Sequence, residues 1–239
     1  MNILKDVFES ILAALFPNRC LSCEELIDDG EYFCDFCYEM LPQTAEDKLC
    51  SICGRIKKDC QCKYRVFHFS GFTAPYYYES SAKKAMHNLK FNHKRNYSKF
   101  FAKEMSKSVR CNFNDKKFNA ITYVPMPYKK QLKRGYNQSR ELAVEMAKIL
   151  NLPLVENALG CNPFKKVQHE TKYEDRFKNV KGMFYPNVSL RGRTVLLVDD
   201  IKTSGATLDE CSKALLKAGA NEVYCVTGLV TRRKKNKKR

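Results

Sequence analysis

The arrangement of the cysteines constrains this chain more than any other feature of its sequence. Eight of the twelve cysteines fall in one N-terminal stretch, as three Cys-x-x-Cys pairs and one Cys-x-Cys pair: Cys20/Cys23, Cys34/Cys37, Cys50/Cys53 and Cys60/Cys62. Such pairs present two thiolates to one tetrahedral ion, and four thiolates close a structural zinc site. Disulfides are the alternative, but the sequence carries no export signal and thiols stay reduced in the cytoplasm. We therefore predict structural zinc in a cytoplasmic protein.

The spacing alone does not decide how these four pairs share the metal. Sequential use of the pairs, interleaved use and a single zinc ion all fit the pattern. The stretch 18–65 holds too few apolar side chains for a core of its own, so metal binding would supply its folding free energy. A site with four cysteine ligands has no open coordination position. We therefore predict a zinc-ribbon module that acts as a scaffold or a contact surface.

The two ends of the chain and its charge suggest its partners. Residues 1–17 place apolar side chains at helical spacing, which predicts an amphipathic helix that docks on the body or lies on a partner or membrane surface. Residues 232–239 form a basic tail, and the formal net charge of the chain is +17. This surplus favours an anionic partner such as nucleic acid or a phosphorylated metabolite. No stretch approaches the roughly 20 apolar residues of a membrane span, so membrane contact is predicted to be peripheral at most.

Residues 66–231 alternate between strand and helix patterns. The predicted strands, of which the first is a strand or a hairpin, are FSGFTAPYYYE, AITYVP, TVLLVDD and EVYCVTGLV. Apolar residues recur at helical spacing between these segments. The alternation predicts an α/β fold, a parallel sheet flanked by helices and preceded by the small cysteine-rich module. The tyrosines at 76–78 either stack on nucleic-acid bases or are buried in a strand.

The stretch VLLVDDIKTSGAT, residues 195–207, combines two features of a sugar-phosphate site. Asp199 and Asp200 end an apolar strand, and a turn rich in hydroxyl groups leads into the next helix. Backbone N–H groups at a helix start bind phosphate, and Gly205 lets the backbone approach it closely. The Walker A spacing is missing. Because the two carboxylates would accept hydrogen bonds from sugar hydroxyls, the stretch predicts a phosphorylated sugar with Mg²⁺ nearby.

This stretch resembles the signature of type I phosphoribosyltransferases, which bind 5-phosphoribosyl-1-pyrophosphate (PRPP). The resemblance implies that Asp199 and Asp200 hold the ribose hydroxyls, and that Mg²⁺ accompanies PRPP. It implies a fold in which residues 66–231 form the phosphoribosyltransferase-like domain. The residues that would bind PRPP through the turn are Lys202, at a variable position of the signature, with Thr203, Ser204, Gly205, Ala206 and Thr207.

Three further segments narrow the resemblance to the ComF family of competence-related proteins. These segments are AMHNLKFNHKRN, VPMPYKKQLKRGYNQSRELA and QHETKYEDRFKNVKGMF. The resemblance implies that Arg134 and Gln138 of the second segment bind PRPP beside its pyrophosphate, while Asn137 supports the loop. Together with the cysteine pairs, the resemblance covers nearly the whole chain.

The third segment resembles the mobile loop that closes over the site in that family. Its matching positions are Gln168, Arg176, Asn179, Gly182 and Phe184. Arg176 would neutralise charge on the leaving pyrophosphate, and with Asp199 and Asp200 it completes the predicted catalytic residues. Where the family often has Arg/Thr-Pro residues before the glutamine, this chain carries Lys165 and Lys166.

Three functions fit these patterns. The resemblance implies a competence protein that binds PRPP and single-stranded DNA, beside DNA-uptake or helicase-like proteins. The second function is nucleotide salvage, with displacement at ribose C1, although no residue identifies the attacking nucleophile. The third is a DNA-binding or docking module without catalysis, whose affinity would fall steeply with salt.

Overall fold

The computed structural model describes most of the chain. The described residues are 17–45, 49–57, 60, 62–63, 65–91, 96–162 and 175–232. The predicted N-terminal helix lies outside this part except for its last residue, and so does the basic tail from residue 233. Gln168, Lys165 and Lys166 of the predicted loop also lie outside it.

Helices and strands alternate through the described body. The strands are β1 (Gly71–Thr73), β2 (Tyr76–Tyr77), β3 (Ala120–Tyr123), β4 (Leu159–Cys161), β5 (Phe184–Pro186), β6 (Thr194–Lys202) and β7 (Glu222–Val230). The helices are α1 (Asp35–Glu39), α2 (Ser80–Phe91), α3 (Asn96–Asn112), α4 (Tyr128–Arg134), α5 (Gln138–Leu150), α6 (Asp175–Val180) and α7 (Ala206–Lys217). None of these described helices has the length and apolar character needed to cross a bilayer.

Five of the described strands form a parallel sheet, as predicted. The order is β1-β7-β6-β3, and β2 also pairs with β7. The hairpin alternative for FSGFTAPYYYE is wrong, because β1 and β2 both run parallel to β7. They lie one after the other along the same edge, separated by Ala74 and Pro75, and proline has no N–H to donate to a ladder. Tyr76 and Tyr77 are buried, so the burial interpretation of these two tyrosines is confirmed.

The sheet carries helices on both faces because its central strand alternates its side chains between two cores. Leu196 and Val198 of β6 pack with α2, α3 and α5. Val195 and Leu197 pack on the other face with α7 and the antiparallel pair β4 and β5. Successive strand residues point to opposite faces, which produces this division.

The two cysteine-rich segments join different cores. In the first segment, Leu21 and Phe33 are buried in the core that contains α3, and the ring centroid of Phe33 lies 4.8 Å from that of Phe100. In the second segment, Leu49 packs against the core that contains α7. Apolar residues of the cysteine-rich module thus pack against the cores of the body, which agrees with the prediction that the module has too few apolar side chains for its own core.

Candidate functional site

A cleft of about 470 Å³ lies where the adjacent strands β3 and β6 end. This is where ligands bind in open parallel sheets. Its walls come from α4, α6 and the first turns of α5 and α7. The sequence-predicted residues that line it are Arg134, Gln138, Arg176, Asp199, Asp200, Thr203, Ser204, Ala206 and Thr207.

The two carboxylates lie within β6, which is longer than predicted. The strand continues past them to Lys202, with Ile201 and Lys202 paired to β7, so the turn begins only at Thr203. Asp199 is 9% exposed, and its Oδ1 accepts hydrogen bonds from the Ser139 hydroxyl at 2.7 Å and from the Asp200 N–H at 2.9 Å. Asp200 is more exposed. One carboxylate is therefore fixed by the protein before any ligand binds.

The turn after β6 presents hydroxyl groups at the start of a helix. Thr203, Ser204 and Thr207 line the cleft, and α7 begins at Ala206. Gly205 caps this helix with φ of +85°, a conformation that favours glycine. The Ala206 N–H donates to the Ser204 hydroxyl at 3.3 Å, which holds the turn closed. Helix starts of this kind favour anions.

Two predicted residues of this turn lie away from the cleft wall. Gly205 shapes the backbone but is not among the lining residues. The Lys202 side chain is 2% exposed, and its ammonium donates to the Cys53 carbonyl at 2.8 Å. Burial, followed by the charge of Arg55, lowers the pKa of Lys202 to about 8. The Lys202 side chain therefore points toward the backbone of Cys53 instead of into the cleft.

The RGYNQ segment forms one side of the cleft. Asn137 caps α5: its side chain accepts from the Ser139 N–H and donates to the Val124 carbonyl at 3.0 Å. Arg134 donates to Gln138 Oε1 at 2.8 Å. Gln138 is 1% exposed, and its Nε2 has no hydrogen-bond partner among the described residues. A buried amide without a partner at a cleft wall offers a donor to a ligand oxygen.

Helix α6 closes the opposite side. Arg176 and Asn179 line the cleft beside the apolar residues Val180, Met183 and Phe184. The Gly182 N–H donates to the Glu210 carboxylate at 2.6 Å, which ties the end of this segment to α7. Three of the family positions, Arg176, Asn179 and Phe184, thus line the same cleft as the acid pair.

The eight paired cysteines form two clusters, each with four thiols whose sulfur atoms lie within 4.8 Å of one another. The first cluster is Cys20, Cys23, Cys34 and Cys37, and the second is Cys50, Cys53, Cys60 and Cys62. The structure thus groups the thiols as sequential use of the pairs predicts. The sulfur atoms of Cys50 and Cys62 are 3.7 Å apart. Ligands about 2.3 Å from a tetrahedral zinc ion would be about 3.8 Å apart, so the thiols fit structural zinc.

Burial, backbone hydrogen bonds and neighbouring thiols shift thiol pKa values in both clusters. In the first cluster, burial opposes ionisation, but backbone hydrogen bonds from Cys23, Cys34 and Ser22 lower the pKa of Cys20 to about 7. Burial and the neighbouring thiols of the second cluster raise the pKa of Cys62. Four thiols at this distance cannot all ionise without compensating charge, which a divalent metal ion supplies.

Among the residues of the cleft that sequence reasoning missed are Ser139 and Lys130, whose side chains are polar. Ser139 donates to Asp199 of β6 from the first turn of α5, 60 positions away in the chain. Lys130 lines the cleft one helical turn before Arg134. The signal for Lys130 was its position four residues before a predicted site residue, which places both on one face of a helix. Ser139 had a weaker signal, its position directly after Gln138 at a helix start.

Two domain families match the chain. Residues 11–65 match the double zinc ribbon domain, and residues 137–239 match the phosphoribosyl transferase domain. Competence protein F of Haemophilus influenzae is 36% identical over 107 residues, which are 44% of this chain and 47% of that protein. DNA utilization protein YhgH of Escherichia coli K12 is 30% identical over 44% of this chain and 48% of its own length. The chain thus spans about half the length of these relatives.

A third relative is matched over a longer stretch. Competence protein ComFC of Bacillus subtilis is 24% identical over 204 residues, which are 81% of this chain and 82% of that protein. The parallel sheet with flanking helices and the two cysteine clusters agree with the two matched domains. The predicted resemblance is thereby confirmed: the chain joins a double zinc ribbon to a phosphoribosyl transferase domain, and it is similar to Competence protein F, YhgH and ComFC.

Proposed function

We propose that the cleft binds PRPP and that this binding serves the handling of single-stranded DNA during natural transformation. One observation carries the proposal: an acid pair, a hydroxyl-rich helix start and basic side chains line a single cleft. In this proposal residues 18–65 are the zinc-ribbon module and residues 66–231 the phosphoribosyltransferase-like domain. The protein acts in the cytoplasm, where incoming strands meet DNA-binding and helicase-like proteins.

The chemistry of the cleft suits the three parts of PRPP. Asp199 and Asp200 accept hydrogen bonds from the ribose hydroxyls, because carboxylates are acceptors only. The turn 203–207 binds the 5′-phosphate through hydroxyl and N–H donors. Arg134 and Arg176 face the pyrophosphate and balance its charge. Bound Mg²⁺ supplies further positive charge to the pyrophosphate.

The DNA part of the proposal is supported by charge and by the names of the relatives. Competence protein F, YhgH and ComFC are named for competence or DNA utilization. Helix α4 has no buried residue and carries Lys129, Lys130, Lys133 and Arg134 without any acidic residue. Its Tyr128 is 68% exposed. Basic side chains beside an exposed aromatic ring suit single-stranded nucleic acid, whose bases stack and whose phosphates need cations.

Calorimetric titration with PRPP and Mg²⁺ tests the first part. The wild-type chain should bind PRPP saturably, and Asp199→Asn with Asp200→Asn should abolish the heat while circular dichroism stays unchanged. Absence of binding by the wild-type chain would refute the proposed site. Steady product formation with one free nucleobase would show a salvage transferase instead.

Fluorescence anisotropy with a labelled oligo-dT strand tests the second part. Affinity should fall steeply as salt rises, because released counterions drive such binding. Lys129→Gln with Lys133→Gln should weaken binding about threefold and reduce the salt dependence. The matched control is Lys83→Gln with Lys84→Gln, a pair of exposed lysines on α2. A salt response that is flat would refute DNA binding, and equal losses in both pairs would remove α4 from it.

A further inference from the structure

The second cysteine cluster contacts the residue that precedes the phosphate-binding turn, defined as residues 203–207. Lys202, the last residue of β6, buries its ammonium against the Cys53 carbonyl at 2.8 Å and over the Phe72 ring at 4.9 Å. Cys53 is itself one of the four thiols of this cluster. Among the described residues, the contacts of this buried cation include a carbonyl and an aromatic ring, and an opposite full charge would stabilise it further.

The charge of a metal-loaded cluster supplies what this lysine needs. Four thiolates around one zinc ion leave a net charge of about −2. The Lys202 ammonium donates to the backbone carbonyl of Cys53, one of the four cysteines of this cluster, so the charge of the loaded cluster lies next to the lysine.

Lys202 also supports the turn itself. A Cβ atom added to Gly205 would lie 3.1 Å from Lys202 Cε, so the turn passes over the lysine stem. The Thr231 N–H donates to the Lys202 carbonyl at 3.0 Å, which fixes the strand end. The lysine stem therefore packs closely against the backbone of the turn at Gly205.

Residues 65–68, which follow Cys62, contact the helix α7 after the turn and the helix α6. The His68 N–H donates to the Asp209 carboxylate at 2.6 Å, in the first turn of α7. Arg65 lies over the Phe177 ring of α6 at 3.7 Å, next to the cleft residue Arg176. The phosphate-binding turn and α6 thus both rest on residues attached to the second cluster.

We infer that Lys202 is a positioning residue that couples metal occupancy of the second cysteine cluster to the shape of the phosphate-binding turn. The first cluster has no such contact among the described residues, since it packs on the core of α2 and α3. Coupling of this kind is reciprocal, so a ligand in the turn must also retain the metal of the second cluster. The identity of that ligand as PRPP rests on the proposed function, but the lysine–metal contact does not.

The first experiment needs no ligand. Zinc release from the zinc-loaded full chain into a chromogenic chelator is followed in wild type, Lys202→Met and Lys202→Arg. In Lys202→Met, one of the two zinc ions should leave about 10-fold faster, as expected for loss of a group next to metal ligands, while the other is unchanged. Lys202→Arg should restore most of the wild-type rate, because it keeps the charge. Lys217→Met, at an exposed lysine of α7, is the control.

Equal release rates in wild type and Lys202→Met would overturn the inference, and so would an arginine variant as fast as the methionine variant. The second experiment adds PRPP and Mg²⁺. Saturating PRPP should slow the release of one zinc ion in wild type and have no effect on release in Lys202→Met. If calorimetry shows no PRPP binding, the proposed function fails, while the ligand-free release rates still decide whether Lys202 supports the cluster.

Discussion

The floor and the rim of the cleft are built in different ways. The floor, defined here as Ser139, Asp199 and Asp200, lies on β6 and on the buried start of α5. The rim, defined as Lys130, Arg134 and Arg176, lies on the short helices α4 and α6, and α4 buries no residue at all. The floor therefore has its geometry before a ligand arrives, whereas the rim supplies charge from two short helices, of which α4 has no buried residue to hold it.

This difference determines how each part contributes to binding. A preorganised carboxylate loses little freedom when a ligand binds, so most of its hydrogen-bond energy appears as affinity. Salt screens the interactions of charges near solvent, and the screening length is about 10 Å at 0.1 M ionic strength. Floor variants should thus weaken PRPP binding at every salt concentration, and rim variants mainly at low salt.

The largest expected effect belongs to the floor. Asp199→Asn removes the charge that Ser139 and the Asp200 N–H now stabilise. PRPP affinity should fall about 100-fold, because hydrogen bonds to a charged group contribute up to about 3 kcal/mol. Calorimetry measures the loss, and Asp115→Asn, at an exposed acid after α3, is the matched control. A loss smaller than that of Arg134→Met would reverse the comparison.

The rim variant Arg134→Met should have the next largest effect. It removes one cation from the pyrophosphate side and also the hydrogen bond to Gln138. We expect about 10-fold weaker PRPP binding at low salt, and a much smaller loss at about 1 M salt, where the screening length is about 3 Å. Lys133→Met, on the same helix but outside the cleft lining, should change little. A loss that stays constant with salt would mean that Arg134 acts as the floor does.

A smaller effect tests whether the floor is held by its hydrogen bond to α5. Ser139→Ala removes the 2.7 Å hydrogen bond to Asp199. PRPP affinity should fall about fivefold, since one such bond contributes about 1 kcal/mol, and the loss should not depend on salt. Ser106→Ala is the control, because this serine of α3 is also buried and its hydroxyl has no partner among the described residues. Equal affinities of Ser139→Ala and wild type would show that β6 alone orients the acid.

The floor was also the part of the site that the sequence predicted best. A short apolar run predicts a buried strand from neighbouring residues alone. Because Asp199 and Asp200 end this run, the sequence places both acids at a strand end. The assignment of Lys202 to the turn was wrong. Lys202 was assigned to the turn by its position in the sequence, yet β6 continues through it and directs its side chain to Cys53, 149 positions earlier.

Contacts of this kind depend on how distant segments of the chain pack against each other. The spacing of apolar residues in the sequence does not predict such packing. Sequential pairing of the cysteines and the Ser139 hydrogen bond were likewise decided only by the fold. The alternation of strands and helices, in contrast, predicted β3, β6, β7 and the helices α5 and α7, since each of these buries a continuous apolar face. Sequence patterns thus located the cleft, while its supports came from tertiary packing.

The smallest expected effect concerns an exposed ion pair behind the floor. Arg140 of α5 lies 2.5 Å from Glu156, and both side chains are about 40% exposed, at 43% and 40%. The hydrogen bond from Arg140 lowers the pKa of Glu156, against the opposing effect of burial. The pair therefore stabilises the fold above the ordinary glutamate pKa, and this contribution is lost as the pH falls through the lowered value.

Glu156→Gln should reduce the free energy of unfolding by less than about 1 kcal/mol, because solvent screens exposed pairs. Urea denaturation should show the difference from wild type near pH 7 and its disappearance at acid pH. PRPP affinity should not change, since the start of α5 is held by the buried contacts of Asn137 and Ser139. If Glu156→Gln weakened PRPP binding as much as Ser139→Ala, the orientation of α5 would depend on its exposed face. The floor would then be no more preorganised than the rim.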